Sequence, residues 1–127
     1  MMNTVSAKRE AALRQGEIVD LSADARKFGL PLELAITTQA HKACLDGQND
    51  HVRKAVLEGV EAATIVAFVV QQPPQPRVRV DYRSALTLKN SDGEQRQTVH
   101  LTLRVNFTRE GIPCSATLGL KDETLPC

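Results

Sequence analysis

From Arg77 to Lys89 the apolar residues Val78, Val80, Tyr82, Leu86 and Leu88 alternate with Arg77, Arg79, Asp81, Arg83 and Lys89. The alternation returns from Arg96 to Thr108, where Val99, Leu101, Leu103, Val105 and Phe107 fall on one side. A period of two held this long predicts antiparallel strands with one face in a core and the other in water. Ser91-Asp92-Gly93-Glu94 supplies a hairpin turn, with Gly93 suited to positive φ, and Arg109-Glu110-Gly111 supplies a second. The C-terminal part therefore reads as a three-stranded meander. Pairing the apolar faces sets Leu86 opposite Val99, Tyr82 opposite Leu103 and Val80 opposite Val105. The same register places Asp81 across from Arg104, an opposite-charge pair. In the second hairpin Phe107 then faces Ile112, Val105 faces Cys114 and Leu103 faces Ala116, which puts Cys114 in the core.

Upstream, the period changes. Ser6 to Gln15 predicts a short helix or a frayed arm stopped by Gly16, and Glu17 to Leu21 a short strand. Ser22 offers an N-cap, with Asp24 in the first turn, to a brief helix closed by Gly29 and Pro31. Leu32 to Ile36 reads as extended, and Thr37 or Thr38 caps a helix to about Asp46. The strongest helix runs from Asp50 to about Phe68, on a stripe of Val52, Ala55, Val56, Gly59, Val60, Ala63, Ala67 and Val70. Its end, Ile65 to Val70, is apolar all round. That predicts burial in the core, with a subunit interface over Phe68, Val69 and Val70 as the functional alternative; the β-branched run also suits a strand start. Gln71 to Pro76, carrying Pro73, Pro74 and Pro76, is a stiff connector to the sheet. The expectation is a single α+β domain over residues 1–127: a C-terminal three-stranded antiparallel meander packed against helices, with one or two short N-terminal strands and residues 1–16 as an arm.

Composition narrows what such a fold is for. Sixteen Lys/Arg against fifteen Asp/Glu leave a net charge of +1, so an electropositive surface has to be local. Three Phe, one Tyr and no Trp leave nothing for a stacking platform, which counts against direct nucleic-acid reading. The N-terminus lacks the apolar segment of a secretory signal, and the apolar run from Ala62 to Val70 is too short for a bilayer. Three cysteines, Cys44, Cys114 and Cys127, form no even set, which suits a reducing cytoplasm and no membrane association.

Candidate chemistry is sparse. His41 and Cys44 stand at helical spacing, yet two ligands do not make a zinc site, and neither metal nor cofactor is expected. There is no nucleophile elbow, phosphate-cradling glycine loop or metalloprotease helix, so no enzyme is expected. What remains is the outer sheet face: Arg77, Arg79, Arg83, Lys89, Arg96, His100 and Arg104 against Asp81, with Thr87, Thr98, Thr102 and Thr117 between. Solvation alone accounts for such a face, but its summed potential also suits docking on an acidic partner or a phosphate backbone.

Two blocks carry a resemblance. Asp20-Leu-Ser-Ala-Asp-Ala-Arg-Lys-Phe-Gly-Leu-Pro-Leu-Glu-Leu-Ala-Ile-Thr38 is similar to the opening of a domain-of-unknown-function family carried on bacterial plasmids and integrative elements. The stretch from Thr98 to Leu120 resembles that family's final hairpin. The chain departs from the pattern in carrying Gln39-Ala40-His41 where a Trp tends to follow the Thr. The resemblance implies a cytoplasmic accessory protein of a mobile element with no assigned activity. The expected role is a non-enzymatic protein-interaction module, acting on a host defence or nucleic-acid-processing protein or pairing with a second copy. The alternative is direct nucleic-acid binding through the basic face.

Overall fold

The computed structural model describes residues 4–71 and 76–125. Four helices and five strands make an α+β fold in the order α1 (Thr4–Arg14), β1 (Ile18–Asp20), α2 (Ser22–Phe28), β2 (Glu33–Thr37), α3 (Thr38–Cys44), α4 (Asp50–Val70), β3 (Arg77–Asn90), β4 (Gly93–Phe107) and β5 (Pro113–Leu120). The strands form one sheet, ordered β1-β2-β5-β4-β3. The expected meander is its C-terminal half. β2 extends it by pairing parallel with β5, and β1 closes that edge antiparallel to β2. Much of the connector, residues 72–75, and Cys127 lie outside the described residues.

Local chemistry sets the helix boundaries. The Thr37 hydroxyl accepts from the Ala40 N–H, and Asn49 Oδ1 accepts from the Val52 N–H, so α3 and α4 each begin on a side-chain cap. Gly29, at φ 98°, ends α2 in the left-handed conformation that its lack of a Cβ permits. Ser22, expected as a cap, is instead the first residue of α2. Its hydroxyl accepts from the Leu34 N–H at 3.1 Å and donates to the Leu34 carbonyl at 3.4 Å, stitching the helix to β2. Its hydroxyl is thereby turned toward the neighbouring strand, and α2 begins without a side-chain cap.

α4 lies across the inner face of the sheet. Val52, Val56, Leu57, Val60, Ala63 and Ala67 meet the apolar sides of β3, β4 and β5, chiefly Leu86, Leu101, Leu103, Val105 and Leu118. Gly59 makes room for Tyr82: a Cβ there would sit 3.3 Å from the ring. Arg53 ties α4 to α2 through Asp24 at 3.0 Å.

The outer face is not bare. α1 covers its β1–β2 end, where Ala12, Ile18 and Ala35 form a second small cluster. Arg9 is buried there, donating to the Ala116 carbonyl at 3.4 Å beside Glu33. At the other end the chain turns back after β5. Glu123 accepts from the Thr37 hydroxyl and the Leu120 N–H, and Leu125 packs over Gly119. Thr102 and Thr117, expected in solvent, are buried.

Both hairpins pair two residues away from the expected register. Val78 faces Val105, Val80 faces Leu103 and Tyr82 faces Leu101. In the second hairpin Val105 faces Ala116 and Leu103 faces Leu118. A two-residue shift returns every side chain to the same face, so the hydrophobic pattern is blind to it. Turn chemistry makes the choice. Asn90 Oδ1 accepts from the Asp92 N–H at 2.9 Å, which favours a loop of Ser91 and Asp92 with Gly93 just beyond at φ 111°. In the second hairpin a bulge falls at Asn106 and Phe107. Pro113, opposite Phe107, has no N–H to give the ladder. Cys114 is consequently exposed rather than in the core.

Candidate interaction surfaces

Two surfaces stand out. The first is the outer face of β3 and β4. Odd residues of β3 and even residues of β4 point the same way, so Arg77, Arg79, Arg83, Lys89, Arg96 and Arg104 share one side as expected. All are exposed except Arg104, which is half-buried. The register changes their partners. Asp81 faces Thr102, and Arg104 faces Arg79. Two guanidinium groups directly opposite each other are destabilising unless something offsets them. Arg79 leans away: it donates to Asp81 at 3.2 Å and to the Lys121 carbonyl at 2.7 Å. The Thr102 hydroxyl and Arg79 beside Asp81 hold its carboxyl below the usual carboxylate range. Arg83 stands opposite His100 in the next pair on this face. Among the described residues Arg77, Arg83 and Arg104 form no ion pair. Lys89 does face an anion, Glu94, which stands on β4 rather than in the expected turn.

The second surface is the end of α4. Ala63, Thr64 and Ala67 turn inward, while Ile65, Val66, Phe68, Val69 and Val70 are 47–63% exposed, as is Ile112 at 58%. This reverses the expectation of a buried helix end. The fold has two layers here, so a helix apolar on all sides has only one side covered. Gln71 fastens this end to the sheet, its buried Nε2 donating to the Gly111 carbonyl at 2.8 Å, which brings Ile112 close to the helix terminus. Phe68, Val69 and Val70, the candidate interface residues, therefore sit in a contiguous apolar patch. Ile65 and Val66 extend it along the helix, and exposed Ile112 follows the Gly111 that Gln71 holds beside the helix end.

Cys44 is buried, and burial pushes its thiol up to about 11. Among the described residues no three His, Cys, Asp or Glu side chains cluster as metal ligands, and no helix is long and apolar enough to cross a membrane. Tyr82 buries its hydroxyl beside α4 without a hydrogen-bond partner among the described residues. Comparison with known proteins finds no matching family model, curated protein or solved structure.

Proposed function

We propose that this chain is a non-enzymatic protein-interaction module anchored by the exposed apolar end of α4. The observation that carries the reading is the patch of Ile65, Val66, Phe68, Val69, Val70 and Ile112, each about half exposed. Contiguous apolar surface of this kind marks interaction sites in soluble proteins. Fully burying such a side chain yields about 1.5–3 kcal/mol, so six half-exposed ones hold about 5–10 kcal/mol of unused burial energy. That is comparable with the cost of association, about 4–15 kcal/mol, so the patch alone supports binding that is real but readily reversed. The resemblance to mobile-element accessory proteins suggests the setting, in which the partner is a host defence protein.

The test is a pair of chains, wild type and Val66→Glu/Val69→Glu, both checked for folding by circular dichroism. Sedimentation across a concentration range reads self-association, and capture from host lysate reads a foreign partner. The module reading expects one of these in the wild type and its loss in the variant. A wild-type monomer that captures nothing, or a variant that behaves as the wild type does, removes the patch as an anchor.

A second reading, direct binding of nucleic acid, is favoured by one observation, the opposed Arg79 and Arg104 with Arg77 and Arg83 nearby, which form no ion pair among the described residues. A phosphate backbone would offset their repulsion, and such binding weakens steeply with salt. A gel-shift titration at rising salt decides it: no shift at low salt ends this reading, and Arg79→Glu/Arg83→Glu is expected to abolish any shift seen.

A further inference from the structure

We propose that the open edge of β4 is a binding site for an extended peptide, which adds to the sheet as a strand beside Glu94, Arg96 and Thr98. β4 pairs with β3 from Gly93 to Asn106, but with β5 only from Leu101 to Phe107. Eight residues, 93–100, thus have a strand on one side only. Two hydrogen bonds orient the open groups. The Phe107 N–H donates to the Pro76 carbonyl, so odd residues of β4 face β3. The Lys121 N–H donates to the His100 carbonyl, so even residues face the other way. The N–H and C=O groups of Glu94, Arg96 and Thr98 therefore line the edge that β5 would cover if it continued.

β5 does not continue. After Leu120 the chain turns, held by the Glu123 N–H on the Leu120 carbonyl and by the Glu123 carboxylate on the Leu120 N–H. The slot it leaves is a groove of about 820 Å³, with Gln39 and Ala43 of α3 among its walls and Leu88, Val99 and Leu120 giving an apolar side. A row of alternating backbone donors and acceptors is matched by one kind of partner, another extended backbone. Side chains of an added strand alternate between faces. Those on the inner side meet Leu88, Val99 and Leu120; those on the outer side stand beside Arg96, with Glu94 at the far end and Arg83 one strand further on, while Lys121, Asp122 and Glu123 line the near end. The fitting occupant is an extended segment with apolar residues on one side and acidic residues on the other. This site is separate from the α4 patch, and its failure leaves the patch standing.

The probe is a short capped peptide alternating Glu and Val, added to the full chain, with amide hydrogen exchange read by NMR. Saturating peptide is expected to slow exchange at the Arg96 and Thr98 amides at least tenfold, and an analogue N-methylated along its pairing edge to slow neither. Thr98→Pro removes one open N–H and no β3 ladder bond, a change that edge strands tolerate. It is expected to weaken peptide binding tenfold or more at unchanged melting temperature. If that chain does not fold, Arg96→Glu serves, and is expected to shift preference toward a Lys/Val peptide. Absence of protection at millimolar Glu/Val peptide overturns the proposal. Equal binding of the Glu/Val and Lys/Val peptides by the wild type also overturns it. So does protection of these amides that grows with protein concentration alone, which would give the edge to a second copy.

Discussion

Tyr82→Phe is expected to stabilise the protein. The ring packs against Gly59 on α4, at a distance where a Cβ would stand 3.3 Å away, and Phe preserves that contact. The hydroxyl is buried with no hydrogen-bond partner among the described residues. Desolvating a polar group and leaving it unpaired costs about 1–3 kcal/mol, so its removal returns about 1 kcal/mol or more. For a domain of this size that is about 3–5 °C in melting temperature. Burial, with the nearby Cys44 thiol second, also pushes the Tyr82 hydroxyl well above its ordinary 10.0. The folded state then holds a proton that the unfolded state releases first. This contribution is fully present below the unfolded pKa and is lost as pH climbs through the higher folded value. The advantage of Phe over Tyr should therefore widen above pH 10. Urea unfolding at pH 7.5 and again above pH 10 measures both effects, with the m-value reporting whether the unfolding transition is otherwise the same. A loss of more than about 1 kcal/mol at pH 7.5 with m unchanged would mean that the hydroxyl is well bonded, and would refute the reasoning.

Two further outcomes follow from the same packing. In a Cys127→Ser background, a thiol reagent at pH 8 is expected to label exposed Cys114 quickly and Cys44 only on unfolding, because burial raises Cys44 to about 11. Cys44 also takes stability away as pH rises from 9 toward 11; equal labelling of both thiols in the native protein would contradict this. Gly119→Ala places a Cβ 2.5 Å from Leu125 Cδ2 and 3.2 Å from Thr37 Cγ2, so the buried Leu125 side chain must shift. The expected cost is about 1–2 kcal/mol with faster amide exchange at Glu123, and an unchanged melt would show that the C-terminal segment yields freely.

The period-two alternation determined which side chains share a face, and therefore that six Lys and Arg residues lie together. It could not determine which of them meet. Pairings that differ by two residues present identical faces, and the choice rested on the Asn90 turn and on the missing N–H of Pro113. That choice replaced an attractive Asp81–Arg104 pair with an opposed Arg79 and Arg104, and carried Cys114 to the surface. The all-round apolar run at the end of α4 was plain from Ile65 to Val70, but composition does not say how many sides of a helix are covered. Only the two-layer arrangement, with Gln71 fixing the helix end beside Ile112, left that surface open. The parallel pairing of β2 with β5 joins residues far apart in the chain, and no local pattern announces it. The early end of β5, which opens the edge of β4, was likewise beyond the sequence, because alternation shows where a strand runs but not where its neighbour stops.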